Sequence, residues 1–156
     1  MNEEQFKATL GKMPTGITVI TTNIGDILYG FTANSFTSVS LKPALVSFCL
    51  NKNAGSIDAF KKSKHFAVSI LSNKQSNLSK HFSTSTPNKF IDIQYELGKN
   101  SSCPMIKEAL CWLECKKSQE YDGGDHIIFL GEVMFCQVNN DLPPLIYFAR
   151  AYRDLK

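Results

Sequence analysis

At 156 residues and 17.4 kDa the chain has the length of one ordinary domain, 1–156, able to bury roughly 68–70% of its unfolded surface around a core. Hydrophobic residues at 43%, charged residues at 20% and a mean hydropathy of -0.14 exclude a disordered chain and a membrane protein. Seventeen Lys+Arg against fourteen Asp+Glu leave a net +3, scattered rather than gathered into a stripe, so nucleic acid is not a favoured partner.

No run approaches the roughly 18 apolar residues of a spanning helix, and Met1 to Gln5 lack a basic flank and apolar stretch, so the expected location is cytoplasmic with no membrane partner. Cys49, Cys103, Cys111, Cys115 and Cys136 are odd in number and form no CxxC pair, which favours reduced thiols over a disulfide framework. If Leu110 to Tyr121 is a strand, Cys111 and Cys115 lie about 13 Å apart along one face, too far to share a zinc ion. His65, His81 and His126 show no metal-ligand spacing, so no metal is expected.

In chain order, Phe6 to Met13 is predicted as a short helix with Phe6, Leu10 and Met13 near one face, stopped by Pro14-Thr15-Gly16. Ile17 to Thr22 is nearly all β-branched, Asn23-Ile24-Gly25-Asp26 supplies a turn, and Ile27 to Phe31 returns as the second strand of a hairpin. Ala44 to Asn51 is a strand with Val46, Phe48 and Leu50 on its core face. Ser56 is placed to cap a helix through Ile57, Ala59 and Phe60; Phe66 to Leu71 is a strand and Gln75 to Phe82 a helix. Leu110 to Tyr121, Asp122-Gly123-Gly124-Asp125 and His126 to Val138 form a long hairpin with both glycines free to take positive φ, and Leu145 to Tyr152 is a last strand. Six or seven strands with short helices and few crossover-length connections predict a mainly β, antiparallel barrel.

Chemistry concentrates in Gly30 to Ser40, which is rich in hydroxyls, contains one amide and carries no charge. Such a segment can aim side-chain donors and turn N–H groups at a phosphate or a polar ring edge; it can equally be a solvated loop, or a strand whose hydroxyls bond to backbone. Gly123-Gly124-Asp125-His126 delivers an imidazole at a strand start, where it could bind an anion, donate to an amide or stand in solvent. Ser79-Lys80-His81-Phe82 with Lys89 beyond it is either an anion-facing helix end or an ordinary solvated one. No GxGxxG, GxxxxGK[ST] or GxSxG is present, so dinucleotide-fold, P-loop and hydrolase mechanisms are set aside.

The order of these blocks resembles the flavin reductase-like family, the small NAD(P)H:flavin oxidoreductases that supply two-component monooxygenases. The resemblance runs through Met13 to Thr22, Gly30 to Ser40, Pro43 to Leu50, Phe66 to Leu71 with Gln75, Leu78-Ser79 and Phe82, Gly123 to His126, Gly131-Glu132-Val133, and Pro144 to Phe148. It implies an antiparallel six-stranded split β-barrel of the FMN-binding type with flanking helices, and a homodimer with the flavin near the subunit interface. Carried over by position, it implies that Ala33, Asn34, Ser35, Phe36, Thr37, Ser38 and Val39 line the isoalloxazine ring and ribityl chain. Cys49, Leu50 and Asn51 would lie beside the flavin, Ser56 at the phosphate-side helix start, and Phe82 and Lys89 as a cap and a phosphate-facing cation. His126 would face the nicotinamide over the flavin, with Tyr152 near the same pocket.

The activity implied is hydride transfer from NADH or NADPH to FMN or FAD, with cofactors carrying the chemistry and the protein orienting them. Phe148 to Tyr152 departs from the family pattern by lacking a glycine before the aromatic, which leaves NADH against NADPH open. Cys49 would either tune the flavin or simply pack. Two other classes stand beside the reductase: a protein that holds FMN tightly as an electron carrier, and an interaction domain with no flavin.

Overall fold

Valine, isoleucine and threonine are stiff at χ1 and stand freely on a pleated surface, so the β-branched clusters of this chain become strands. The computed structural model describes residues 1–155. Helix α1 (Glu3–Leu10) leads through β1 (Thr15–Gly16) into β2 (Thr18–Ile24), β3 (Ile27–Ala33), β4 (Thr37–Leu41) and β5 (Ala44–Asn51). Helix α2 (Ile57–Lys62), β6 (His65–Ile70), a 3-10 turn at Asn73–Gln75 and helix α3 (Ser76–Phe82) follow. The short pair β7 (Tyr95–Leu97) and β8 (Pro104–Ile106), the long strands β9 (Cys111–Gly123) and β10 (His126–Val138), and the pair β11 (Ile146–Phe148) and β12 (Ala151–Arg153) complete the order. Among the described residues, no helix is long and apolar enough to cross a membrane.

The protein is mainly β with few short helices. Its main sheet has seven strands in the order β3-β2-β6-β9-β10-β5-β4, antiparallel throughout, within the six or seven read from the residues and one more than the six-stranded barrel implied by the resemblance. The extra strand is β4, drawn from the hydroxyl-rich segment: Thr37 pairs with Ser47 and Leu41 with Ala44 on the edge of β5. Among the described residues no ladder joins β3 to β4, so the sheet does not close by backbone bonds. It curls instead around an aromatic core. Phe31 of β3 lies 5.8 Å from Phe48 of β5, and Phe48 is stacked on Phe129 at 5.1 Å and set edge-on to Phe66 at 5.0 Å. Gly131 of β10 is a bare Cα against the Phe66 ring, because a Cβ there would overlap it.

Strand β2 is buried on both faces: Ile20 joins the aromatic core, while Val19 packs on the other side with Leu71, Phe82, Ile106 and Leu145. Two-sided burial is why its sequence is a continuous β-branched run rather than an alternation. The second core holds α3 against the sheet, and this fixes Phe82 beside β3.

Several predicted boundaries move. Helix α1 begins at Glu3 and ends at Leu10, because Asn2 Oδ1 accepts from Glu4 N at 2.9 Å and caps the first turn; Phe6, Leu10 and Met13 stay exposed. Ser56 stands at the start of α2 but makes no side-chain cap bond. Of the two hairpin glycines only Gly124 takes positive φ, at 80°; Gly123 belongs to β9. The single strand predicted over Leu145 to Tyr152 is a hairpin, β11 turning into β12 through Ala149 (φ 50°) and Arg150 (φ 62°). Neither residue type advertises that turn, since positive φ normally selects Gly, Asn or Asp.

Candidate functional site

β3 forms one edge of the main sheet, and a cleft of about 970 Å³ runs along it. Five stretches far apart in sequence wall it: Asp26 to Ser35, Cys49 to Asn51, Ala54 to Ser56, Phe82 to Ile91, and His126. The β2–β3 hairpin supplies the first, the end of β5 the second, the approach to α2 the third and the end of α3 the fourth. Pairing of His126 with Asn51 brings the β10 start to the end of β5.

Ten of the predicted site residues border this cleft: Ala33, Asn34, Ser35, Cys49, Leu50, Asn51, Ser56, Phe82, Lys89 and His126. Phe36, Thr37, Ser38, Val39 and Tyr152 do not. Phe36 packs against the aromatic core, and Thr37, Ser38 and Val39 stand on β4. Tyr152 lies in the second core, its hydroxyl 2.8 Å from Ser79 Oγ. A second cavity of about 570 Å³ shares Asn34 and Ser35 with the first and lies between α1 and the Ala149-Arg150 turn.

Much of the hydroxyl chemistry is spent inside the protein. Ser35 Oγ donates to Cys49 O at 3.3 Å and accepts from Cys49 N at 3.0 Å, so it fastens the turn at 34–36 to β5. Thr32 Oγ1 donates to Ser79 O at 2.6 Å and Asn51 Oδ1 accepts from Asn53 N at 2.8 Å. Asn34 borders both cavities.

Lys89 lies on the cleft wall with its ammonium donating to Phe82 O at 2.9 Å and Gly30 O at 3.2 Å. His81 Nε2 is 2.7 Å from Lys89 O and holds the same segment. Burial pushes the lysine below its ordinary pKa, and among the described residues it has no carboxylate partner. An ammonium has three N–H groups, so one remains for an anion in the cleft.

His126 Nδ1 lies 2.6 Å from Asp125 Oδ1. A carboxylate only accepts, so Nδ1 carries the proton and Nε2 is the free ring nitrogen: an acceptor when the ring is neutral, a donor when it is charged. The hydrogen bond and charge of His126 hold the Asp125 carboxyl below its ordinary value. Lys52 steadies the hairpin tip, donating through Nζ to Asp122 at 2.6 Å and through its backbone N to Asp125 O at 2.9 Å. Cys103 and Cys115, by contrast, are interior thiols that burial raises to about 11 and about 12, packing as small apolar groups.

Three parts of the wall lay outside the predicted site residues: Asp26 with the β3 start Ile27 to Tyr29, Ala54 with Gly55, and the stretch Ser83 to Ile91 apart from Lys89. Exposed Ile27 beside a tight turn, and five hydroxyl or proline residues in succession from Ser83, were the available signals.

Residues 10–156 match the family described as flavin reductase like domain. The reductase subunit HsaB of a flavin-dependent monooxygenase from Mycobacterium tuberculosis is 39% identical over 153 residues, 97% of this chain and 81% of its own. An NADH-dependent FAD reductase from Streptomyces globisporus is 42% identical over 134 residues, 83% of this chain and 73% of its own. The solved NADH:FAD oxidoreductase of Streptomyces globisporus in complex with NAD and FAD fragments superposes with a TM-score of 0.95 at 36% identity, covering 99% of this chain and 93% of that one.

Proposed function

The chain belongs to the flavin reductase-like family, and from that membership we infer what the cleft is for. The protein is an NAD(P)H-dependent flavin reductase that acts on FMN or FAD and supplies reduced flavin to a partner monooxygenase. When bound, the nicotinamide and flavin supply hydride donor and acceptor. The chain supplies position and charge.

The observation that carries the site is the convergence of five separated stretches on one cleft whose uncompensated cation, Lys89, stands part-way along an otherwise uncharged β3 wall. That donor set fits a phosphorylated flavin. Each hydrogen bond to a charged phosphate is worth about 1.5–3 kcal/mol, and Lys89 has one N–H to give without losing its own anchors. Ala33 to Ser35 and Cys49 to Asn51 are the residues to hold the ring, and Lys89 the phosphate. Phe36 to Val39 act through β4 and the core, shaping the turn that carries Asn34. His126, held by Asp125 at the cleft mouth, offers Nε2 to the nicotinamide amide and charge to the reduced ring; no general base is assigned. Tyr152 steadies α3 through Ser79.

The same proposal takes 1–156 as one domain, the curled sheet as the family's split barrel, and a homodimer as the working form. Exposed Val39 and Leu41 on β4 with Met134, Phe135 and Val138 on β10 are apolar surface that a second copy would cover. All five cysteines are free thiols, as a reducing compartment keeps them, which supports a cytoplasmic setting. The test of the site is Lys89→Ala: flavin Kd should rise about tenfold, the loss of one charge-assisted bond, with no change in NADH KM at saturating flavin. Unchanged flavin affinity would remove Lys89 from the site.

A further inference from the structure

Two large aliphatic side chains border the cleft and are left in solvent by both cores: Ile27 is 61% exposed and Ile91 64%. Tyr29, half-buried and two residues beyond Ile27 on the same face of β3, borders it as well. Neither the fold nor the hydride chemistry accounts for them.

Their position along β3 does. At a strand rise of about 3.3 Å per residue the wall runs about 20 Å from Ala33 to Ile27. Lys89 Nζ meets it at Gly30, midway. With the ring at the Ala33 and His126 end and the phosphate at Lys89, about 10 Å of cleft continues past the phosphate to Ile27. FMN ends at its phosphate; FAD continues through a second phosphate to adenosine.

The backbone there suits a purine. Because Gly30 O faces the open edge of β3, and residues alternate along an antiparallel strand, Leu28 presents its backbone to the same edge. Leu28 C=O and Gly30 N–H then stand side by side, an acceptor and a donor matching adenine's amino group and the ring nitrogen beside it. We propose that the Asp26–Tyr29 arm of the cleft is an adenosine subsite, with Ile27, Tyr29 and Ile91 giving the purine its apolar contacts, so that this chain prefers FAD to FMN. The inference rests on the cleft being the flavin site. Nicotinamide dinucleotides also carry adenosine; the arm is assigned to FAD because it continues the same trough past Lys89.

Calorimetric titration of FAD and FMN into the wild type and an Ile27→Ser/Ile91→Ser double variant tests this, with NADH KM measured on both. Both residues are exposed, so the variant keeps its fold. The wild type should bind FAD about tenfold more tightly than FMN, and the variant should lose about that factor for FAD alone, with NADH KM moving less than about twofold. Equal affinity for the two flavins in the wild type, a parallel loss for both in the variant, or a rise in NADH KM with FAD affinity intact would each overturn the subsite. Binding of neither flavin by the wild type would instead overturn the flavin site itself, and the subsite with it.

Discussion

Glu114 is a carboxylate that is 1% exposed and has no ion-pair partner among the described residues, yet it is fully satisfied. Asn100 N and Nδ2 donate to it at 2.9 and 3.0 Å, and Ser101 N and Oγ at 2.6 and 2.7 Å. Burial opposes its charge, but these four bonds outweigh burial and hold its pKa below the ordinary value of 4.5. A depressed carboxyl stabilises the fold above its unfolded pKa and loses that contribution as pH falls through the folded one. Melting temperature should therefore drop below about pH 4.5 in the wild type, and less so in Glu114→Gln. At pH 7 that variant, which replaces one acceptor oxygen by an NH2 donor facing a nest of donors, should be less stable by about 2–4 kcal/mol in urea titration. At the site, His126→Ala should raise NADH KM at least about fivefold while flavin Kd moves less than about twofold, since one lost hydrogen bond costs about 1 kcal/mol; an equal loss of both would remove His126 from the nicotinamide. The glycine turn followed by Asp-His is a local pattern that singled out His126, but alone it left the imidazole as easily in solvent as in a site, and the nicotinamide role came from the family resemblance. The two anchors of Lys89, Gly30 O and Phe82 O, were not legible in the sequence, because backbone carbonyls leave no trace in residue spacing.

Among the elements, those whose pattern is set by burial were readable and those set by backbone geometry were not. Ala44–Asn51 was predicted to the residue, because Val46, Phe48 and Leu50 alternate into the core. β4 hid inside a run of Ser and Thr whose strand character comes only from its partner β5. β7 and β8, three residues each, were too short to show a period. The β11–β12 turn is the clearest case. Ala149 and Arg150 both carry positive φ, which costs an L-residue about 1–2 kcal/mol. Ala149→Gly relieves that strain at the cost of unfolded-state entropy, so a net gain of about 0.5–1 kcal/mol is expected, seen as a rise of about 1–4 °C in Tm. A fall in Tm would mean that the alanine methyl packs favourably in the second cavity.

At the scale of the molecule, a curled antiparallel sheet leaves β3 as an open edge, and loops from the other end of the sheet and from α3 come to cover it. An edge strand offers unpaired N–H and C=O groups for pairing; here that edge is a wall of the cleft. Membership of the reductase family accounts for the convergence of polar residues there, and the exposed apolar residues of β4 and β10 lead to the expectation of a dimer of about twice 17.4 kDa by light scattering. A monomer at working concentration would remove that part of the proposal. One measurement tests the reductase activity most directly: NADH and NADPH oxidation by the purified protein in air, with and without micromolar FMN or FAD, alongside the absorption spectrum of the protein alone. Turnover that rises with added flavin and saturates is the result predicted. A yellow protein that oxidises neither nicotinamide would contradict it and make the chain a flavin carrier, and a colourless one inert with either flavin would leave the cleft without the function assigned to it.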